Sequence, residues 1–312
     1  MEVYRSLEEI HSSGNAWVTL GIFDGVHVGH QKIIQKLVSQ AKAHHGKSWL
    51  ITFDPHPQEF FLKKKKINLL TLLEEKLELL EQLGLDAVVV VPFTPEFAKI
   101  EPHVFVEQWL LQQIGMRGLI VGENYIFGKN RTGNVALLQK LSLRLNFSLQ
   151  IQPLHFENGD PVSSTRIRNL LLAGDVLQAT RLLGRPYALQ GKVVPGEGVG
   201  RQLGFPTVNL SLPDSRKLVP QNGIYAVFVY VQGKKYEGTA DIGFRPTLGG
   251  TQHRIEAYIH HFNEEIYGEM VKLEFIERIR DEKQFDDLNA LVVQIREDTE
   301  RSAELLSQLT NT

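Results

Sequence analysis

Short apolar runs alternate with amphipathic segments through the first 145 residues. Residues 16–22 (AWVTLGI), 47–53 (KSWLITF), 86–91 (DAVVVV) and 117–121 (RGLIV) are apolar enough to be strands buried on both faces. Between the first two, Ile33, Ile34, Leu37, Val38 and Ala41 recur at helical spacing. Further helices are predicted over 71–83, 102–114 and 134–145, the second opened by Pro102 at a position that suits proline. Such alternation predicts an α/β domain, a parallel sheet with helices on both faces. Sheets of this kind bind ligands beyond the carboxyl ends of their strands.

A helix predicted over 164–183 ends at Gly184-Arg185-Pro186, and the pattern then changes. Short alternating runs cover 189–194, 205–210, 224–231, 236–242, 254–260 and 269–276, and Gly233 marks a hairpin turn. They predict a small all-β barrel or sandwich. Phe285, Leu288, Leu291, Val292 and Ile295 share one face of a closing helix. The boundary falls at about 184–186, giving domains of residues 1–184 and 185–312. The run Lys63 to Lys66 is read either as a solvated loop or as a flap that contacts phosphates.

Composition narrows the chemistry. The 312 residues are 42% hydrophobic and 22% charged, ordinary values for a folded soluble chain. A net charge of -2, without an aromatic-basic surface pattern, argues against a nucleic-acid partner. With no cysteine, disulfides, thiolate catalysis and Cys-ligated zinc are excluded. A cysteine-free chain fits a reducing cytosol, so a cytoplasmic location is expected. The opening residues lack a basic segment followed by an apolar run, and no stretch has the length of a membrane span.

The sharpest motif is Gly21-Ile22-Phe23-Asp24-Gly25-Val26-His27-Val28-Gly29-His30, between the first strand and the first helix. Gly21, Gly25 and Gly29 let the backbone approach a ligand. The helix start presents N–H groups to an anion, and His27 and His30 sit at the same spot to stabilise charge on a polyphosphate. Asp54 ends the second strand, where it is either a turn former before Pro55 or a residue that orients a ribose or metal ion. Asn124 follows the strand at 117–121, as a turn former or a hydrogen-bond partner for a base or flavin edge. Ser163, Ser164 and Thr165 read as helix-capping hydroxyls, and with Arg166 and Arg168 they make a donor-rich anion site.

These stretches resemble a known family. His-x-Gly-His after a first strand is similar to the nucleotidyltransferase signature. The longer Gly21–His30 form, Thr52-Phe53-Asp54-Pro55-His56-Pro57, Gly122–Gly128 and Ser163–Arg168 resemble the adenylyltransferase module of prokaryotic bifunctional riboflavin kinase/FAD synthetases. The resemblance implies a Rossmann-like first domain in which Gly21, Phe23, Asp24, Gly29, Asp54, Asn124, Ser163, Ser164, Thr165, Arg166 and Arg168 bind ATP and FMN. It also implies that His27 and His30 act on the phosphates while FMN attacks ATP to give FAD and pyrophosphate. Val28 and Tyr125 depart mildly from the family pattern.

The second domain carries GKVVPGEGVGRQLGFPTVNL over 191–210. Gly196, Gly198, Gly200 and Gly204 form a loop that can offer backbone N–H groups to phosphates, and Arg201 adds charge. Thr207 and Asn209 alternate on one strand face as hard oxygen donors of the kind that suits Mg²⁺. The stretch resembles the riboflavin kinase signature, which implies that Thr207 and Asn209 hold Mg²⁺ and that Gly191 belongs to the same ATP and riboflavin site. On its own strand Glu256 faces away from Ile255, Ala257 and Ile259, which by itself is an exposed strand residue. The resemblance, with Tyr267-Gly268 following, makes it the base that accepts the riboflavin hydroxyl proton. One departure carries charge: Asp241 stands where the family usually has Asn.

Overall fold

A computed structural model describes residues 1–10, 14–61, 67–196, 198–247 and 250–310. The basic run Lys63 to Lys66 lies outside the described residues. By their contacts the residues fall into two compact units, Met1–Ser164 and Thr165–Thr312.

The first unit is built on six parallel strands: β1 (Glu2–Tyr4), β2 (Ala16–Leu20), β3 (Lys47–Phe53), β4 (Ala87–Val91), β5 (Met116–Gly122) and β6 (Ser148–Gln152). Their spatial order is β1-β4-β3-β2-β5-β6. Alternate residues of each central strand enter different cores. Ala16, Val18 and Leu20 join Phe105, Val106, Leu110, Leu138 and Leu141 on one face. Trp17, Leu50, Val88 and Ile120 meet Ile34, Leu37, Leu77 and Leu80 on the other. Burial on both faces is why these strands read as continuous apolar runs. The helices include α1 (Val28–Ala43), α2 (Leu73–Gln82) and α3 (Val135–Leu145), the last capped by Asn134 accepting from Leu137 N at 3.0 Å. The segment predicted as a helix over 102–114 is π-helical from Phe105 to Gln113, and Ile114 N donates to Trp109 O at 3.1 Å. The edge strands β1 and β6 had no sequence signal: one has three residues, and the other, SLQIQ, is mostly polar.

From β2 the chain moves through β3 to β4 on one side, then crosses to β5 on the other. The carboxyl ends of β2 and β5 therefore frame a topological switch point, where α/β sheets open a ligand crevice. Residues 21–30 leave β2 at this point and residues 122–128 leave β5.

The second unit begins with two helices where one was predicted. The segment 164–183 divides into α4 (Ser164–Leu172) and α5 (Val176–Leu183). Gly174 has φ +80°, and Asp175 starts the next helix by accepting from Gln178 N at 2.9 Å. Both helices pack with the β structure: Gln221 N donates to Leu171 O at 2.9 Å, and α5 lies against the last strand. The contact division thus precedes residue 184.

Six antiparallel strands close a barrel: β7 (Tyr187–Val194), β8 (Thr207–Ser211), β9 (Gly223–Val231), β10 (Lys234–Thr247), β11 (Gly250–Ile259) and β12 (Met270–Arg280), in the order β7-β8-β11-β10-β9-β12. Ile255, Ala257 and Ile259 fill its interior with Leu189, Val193, Leu273 and Phe275. The closing helix α6 (Leu288–Thr310) starts three residues after Phe285. It is tethered to the barrel at three points. Arg280 donates to both Asp298 oxygens at 2.8 and 2.6 Å, Ser302 Oγ donates to Gly238 O at 2.8 Å, and Leu306 packs on Ala226 and Phe228.

The Arg280–Asp298 pair is almost fully buried, so removing one partner strands a charge. Asp298→Ala should destabilise the barrel unit by about 3–5 kcal/mol. Urea unfolding of the variant checks this, and a loss below about 1 kcal/mol would mean that the pair does not anchor α6.

Candidate active sites

The first site grows from the turn between β2 and α1. Phe23, Gly25 and Val26 all have positive φ (51°, 82° and 41°), a tight left-handed turn that two of the three adopt at a steric cost. The buried Asp24 holds it. Its carboxylate accepts from Leu70 N (3.0 Å), Thr71 N (3.0 Å) and Thr71 Oγ1 (3.3 Å), while Gly25 N donates to Thr71 Oγ1 at 3.0 Å. Asp24 thus secures the loop before α2. Ser164 Oγ also donates to its carbonyl at 2.9 Å.

His27 caps α1, its Nδ1 accepting from His30 N at 3.3 Å. In the neutral ring this places the proton on Nε2. The two imidazoles stack with centroids 3.5 Å apart, and Phe23 meets His30 edge-on at 4.9 Å. Burial, then His27 and then Lys76, hold the His30 pKa well below the usual imidazole range, so the ring is neutral at pH 7. Its Nδ1 is buried with no hydrogen-bond partner among the described residues. Gly29 leaves room for this pair: a Cβ there would lie 3.2 Å from the His27 ring.

Beside the turn lies a small cleft lined by Ile22, Asp24, Phe53, Asp54, His56 and Lys76, among others. His56 is buried and accepts through Nδ1 from Gln58 N at 3.1 Å. Lys76 is also buried, and donates to Ile22 O (3.2 Å) and Thr52 Oγ1 (3.1 Å). Burial lowers its pKa, opposed by the charges of Asp24 and Asp54. Sequence reasoning missed Lys76, yet a signal existed. With Leu73, Leu77 and Leu80 it falls at i, i+3, i+4 and i+7, a lysine on the apolar face of α2. Asn124 is exposed in the turn after β5, and Tyr125 stacks on Phe127 at 5.5 Å. Ser163 precedes α4, and Thr165, Arg166 and Arg168 occupy its first turns, in the second unit.

The second site lies on the outer face of the barrel. Asn209 on β8 is the register partner of Glu256 on β11, and Glu256 is in turn the partner of Asp241 on β10. Cross-strand partners share a face, so these three side chains and Thr207 project opposite to the buried Ile255, Ala257 and Ile259. Thr207 Oγ1 donates to Glu256 Oε2 at 3.4 Å. The glycine loop presses on this row. A Cβ at Gly196 would fall 2.2 Å from Asn209 Nδ2, and one at Gly200 would fall 2.4 Å from Phe205 O. Gly198 and Gly204 have φ of +73° and +86°, where L side chains are strained. Arg201 forms an exposed ion pair with Glu265 at 3.1 Å. Gly191 lies within β7, where its missing side chain makes room for Ser211 O.

Sequence models of two families match the chain: FAD synthetase over residues 9–166 and riboflavin kinase over 183–306. Similar curated proteins span almost its whole length. A bifunctional riboflavin kinase/FMN adenylyltransferase of Haemophilus influenzae is 37% identical, covering 91% of this chain and 92% of its own. One from Bacillus subtilis is 35% identical, covering 94% and 93%. The chain belongs to the bifunctional riboflavin kinase/FMN adenylyltransferase family. A crystal structure from Streptococcus pneumoniae, described as a macrolide-efflux protein, superposes with TM-score 0.88 at 29% identity over 96% of this chain and 98% of that one. No described helix here is long and apolar enough to cross a membrane.

In this chain the motif residues around His27 and Asp54 lie at the sheet's carboxyl edge, and Asn209, Glu256 and Asp241 share one barrel face. Asp241 distinguishes the second cluster. Burial, reinforced by Glu282 and Glu256 and opposed by Arg254 and Arg280, pushes its carboxyl up to about 6. A raised carboxyl pKa means that the fold binds this proton more tightly than the unfolded chain does. Stability is therefore lost as pH rises from the unfolded value near 4 through the folded value near 6. The Tm of Asp241→Asn, measured against the parent by thermal melting, should improve progressively between about pH 4 and about pH 7; a constant difference contradicts the shift. For His30, imidazole nitrogen NMR shifts should report a neutral ring at pH 6.5, where an ordinary imidazole is half protonated. A protonated ring at that pH would contradict its burial.

Proposed function

We propose that the cluster around His27 and His30 transfers the adenylyl group of ATP to FMN, and that the barrel face around Glu256 phosphorylates riboflavin. The observation that carries this reading is the separation of two donor sets, each suited to one step. One is an imidazole pair at a helix N-terminus. The other is a hydroxyl, an amide and a carboxylate in register across adjacent strands.

In the first step a ribityl hydroxyl attacks the γ-phosphorus of ATP, the bond from that phosphorus to the β,γ-bridging oxygen breaks and ADP leaves, and Glu256 accepts the hydroxyl proton. Thr207 and Asn209 are hard donors that would hold Mg²⁺ together with ATP phosphates, where the ion supplies charge neutralisation. The glycine loop packed on their side chains offers backbone N–H groups to the same phosphates. In the second step an FMN phosphate oxygen attacks the α-phosphorus of a second ATP, and pyrophosphate leaves. No protein nucleophile is required. His27 offers Nε2–H, and neutral His30 offers a donor without adding a buried charge. Gly21, Phe23 and Gly29 shape the turn, Asp54 and Asn124 contact nucleotide or flavin, and Ser163–Arg168 receives ATP phosphates. Asp24 acts indirectly, by fixing the turn. The functional boundary is placed at 184, and use of ATP fits the cytoplasm.

The test is product analysis with riboflavin, ATP and Mg²⁺, following FMN and FAD by chromatography. Glu256→Gln should lower FMN formation by about 10²–10⁴-fold while still converting supplied FMN to FAD. His30→Ala should do the reverse. If each variant loses both activities equally, two separate sites are refuted.

A further inference from the structure

On the barrel face Arg254 is a charged group that the two steps leave without a part. Arg254 stands on β11 two residues before Glu256 and on the same outward face. Its guanidinium donates to Asp241 Oδ2 at 2.7 Å. It also lies 3.9 Å from Glu256 Oε1 and 3.9 Å from Glu282 Oε1. Three carboxylates, from β10, β11 and the segment after β12, thus lie within 3.9 Å of the Arg254 guanidinium. Space is provided for it by Gly243, its register partner. A Cβ there would fall 2.3 Å from Glu282 Oε1 and 3.3 Å from the guanidinium.

Charge decides what this cation does. Asp241 and Glu256 are directly opposed across two strands, an arrangement in which like charges repel. With an uncharged asparagine at 241 that repulsion would not exist. Aspartate introduces it next to the carboxylate that faces Thr207. The short Arg254–Asp241 contact answers it, while the longer 3.9 Å separation leaves Glu256 outside a tight ion pair and within reach of Thr207. Asp241 Oδ1 and Arg254 Nε are buried without hydrogen-bond partners among the described residues. Each group is therefore a costly one to leave alone if the other is removed.

We propose that Arg254 is a positioning residue for riboflavin phosphorylation: it neutralises Asp241 and so keeps the Glu256 carboxylate directed at Thr207. The inference rests on the reading of Glu256 as the proton acceptor. Asp241 and Arg254 then form a compensated pair, each tolerable because the other is present.

Steady-state FMN formation by the full chain, compared across variants, tests this. Arg254→Gln should lower kcat about tenfold with little change in the KM for ATP, because Asp241 is left unneutralised beside Glu256. Adding Asp241→Asn to the same chain should restore most of the rate, since the charge that required an answer is gone. Arg254→Lys should retain much of the parental rate, and it also covers the case in which Arg254→Gln does not fold. Conversion of supplied FMN to FAD verifies the first unit in each preparation, and a cooperative urea-unfolding transition verifies the barrel. A double variant no faster than Arg254→Gln, an unaffected Arg254→Gln, or a lysine variant as slow as the glutamine one overturns the proposal. If instead Glu256→Gln keeps the parental FMN rate, the underlying reading of Glu256 fails, a result separable from any outcome at Arg254.

Discussion

A single buried carboxylate organises the adenylyltransferase end of the chain. Isolated, the Asp24 charge would be too costly to bury, so it needs several donors. It finds them in Leu70 N, Thr71 N and the Thr71 hydroxyl. That requirement brings the loop before α2 against the turn after β2, which in turn places Lys76 by the carbonyl of Ile22. The left-handed turn at Phe23, Gly25 and Val26 persists because these bonds over-determine it. The stacked imidazoles are thus presented by a backbone that has little freedom to relax, which is the preorganisation that charge stabilisation demands.

The outer face of the barrel solves a different problem. Here the polar groups project from a barrel whose interior is filled by aliphatic and aromatic side chains. Register, more than burial, brings Thr207, Asn209, Asp241 and Glu256 together, because neighbours across the strands share one side of the wall. The glycines complete the arrangement by letting a loop lie within contact distance of Asn209 and Thr207. Three carboxylates and one guanidinium in this small area make its charge balance as consequential as its geometry.

How much of this was legible follows from where each signal resides. The central strands bury both faces and so appear as apolar runs; the edge strand Ser148–Gln152 buries little and does not. The segment 164–183 keeps helical periodicity across a break of three residues, Ala173, Gly174 and Asp175, so it read as one helix. Motif residues clustered in strand-to-helix turns were readable because the chain delivers them together. Lys76 was not, since its importance arises from contacts with residues 22 and 52. Arg254 was likewise hidden: its neighbours at 241 and 282 meet it only through strand pairing and the segment after β12.

Closure of the barrel has a consequence of another sort. In the ring from β7 to β12 every strand has a neighbour on each side, so no strand of it is an edge along its whole length. An open sheet with so polar and glycine-rich a face would have to guard its margins against pairing with strands of other chains. A closed ring leaves only short margins, such as Gly243–Thr247 beyond the reach of β9. Loops and outward side chains on it can therefore vary with less risk of recruiting another chain into the sheet.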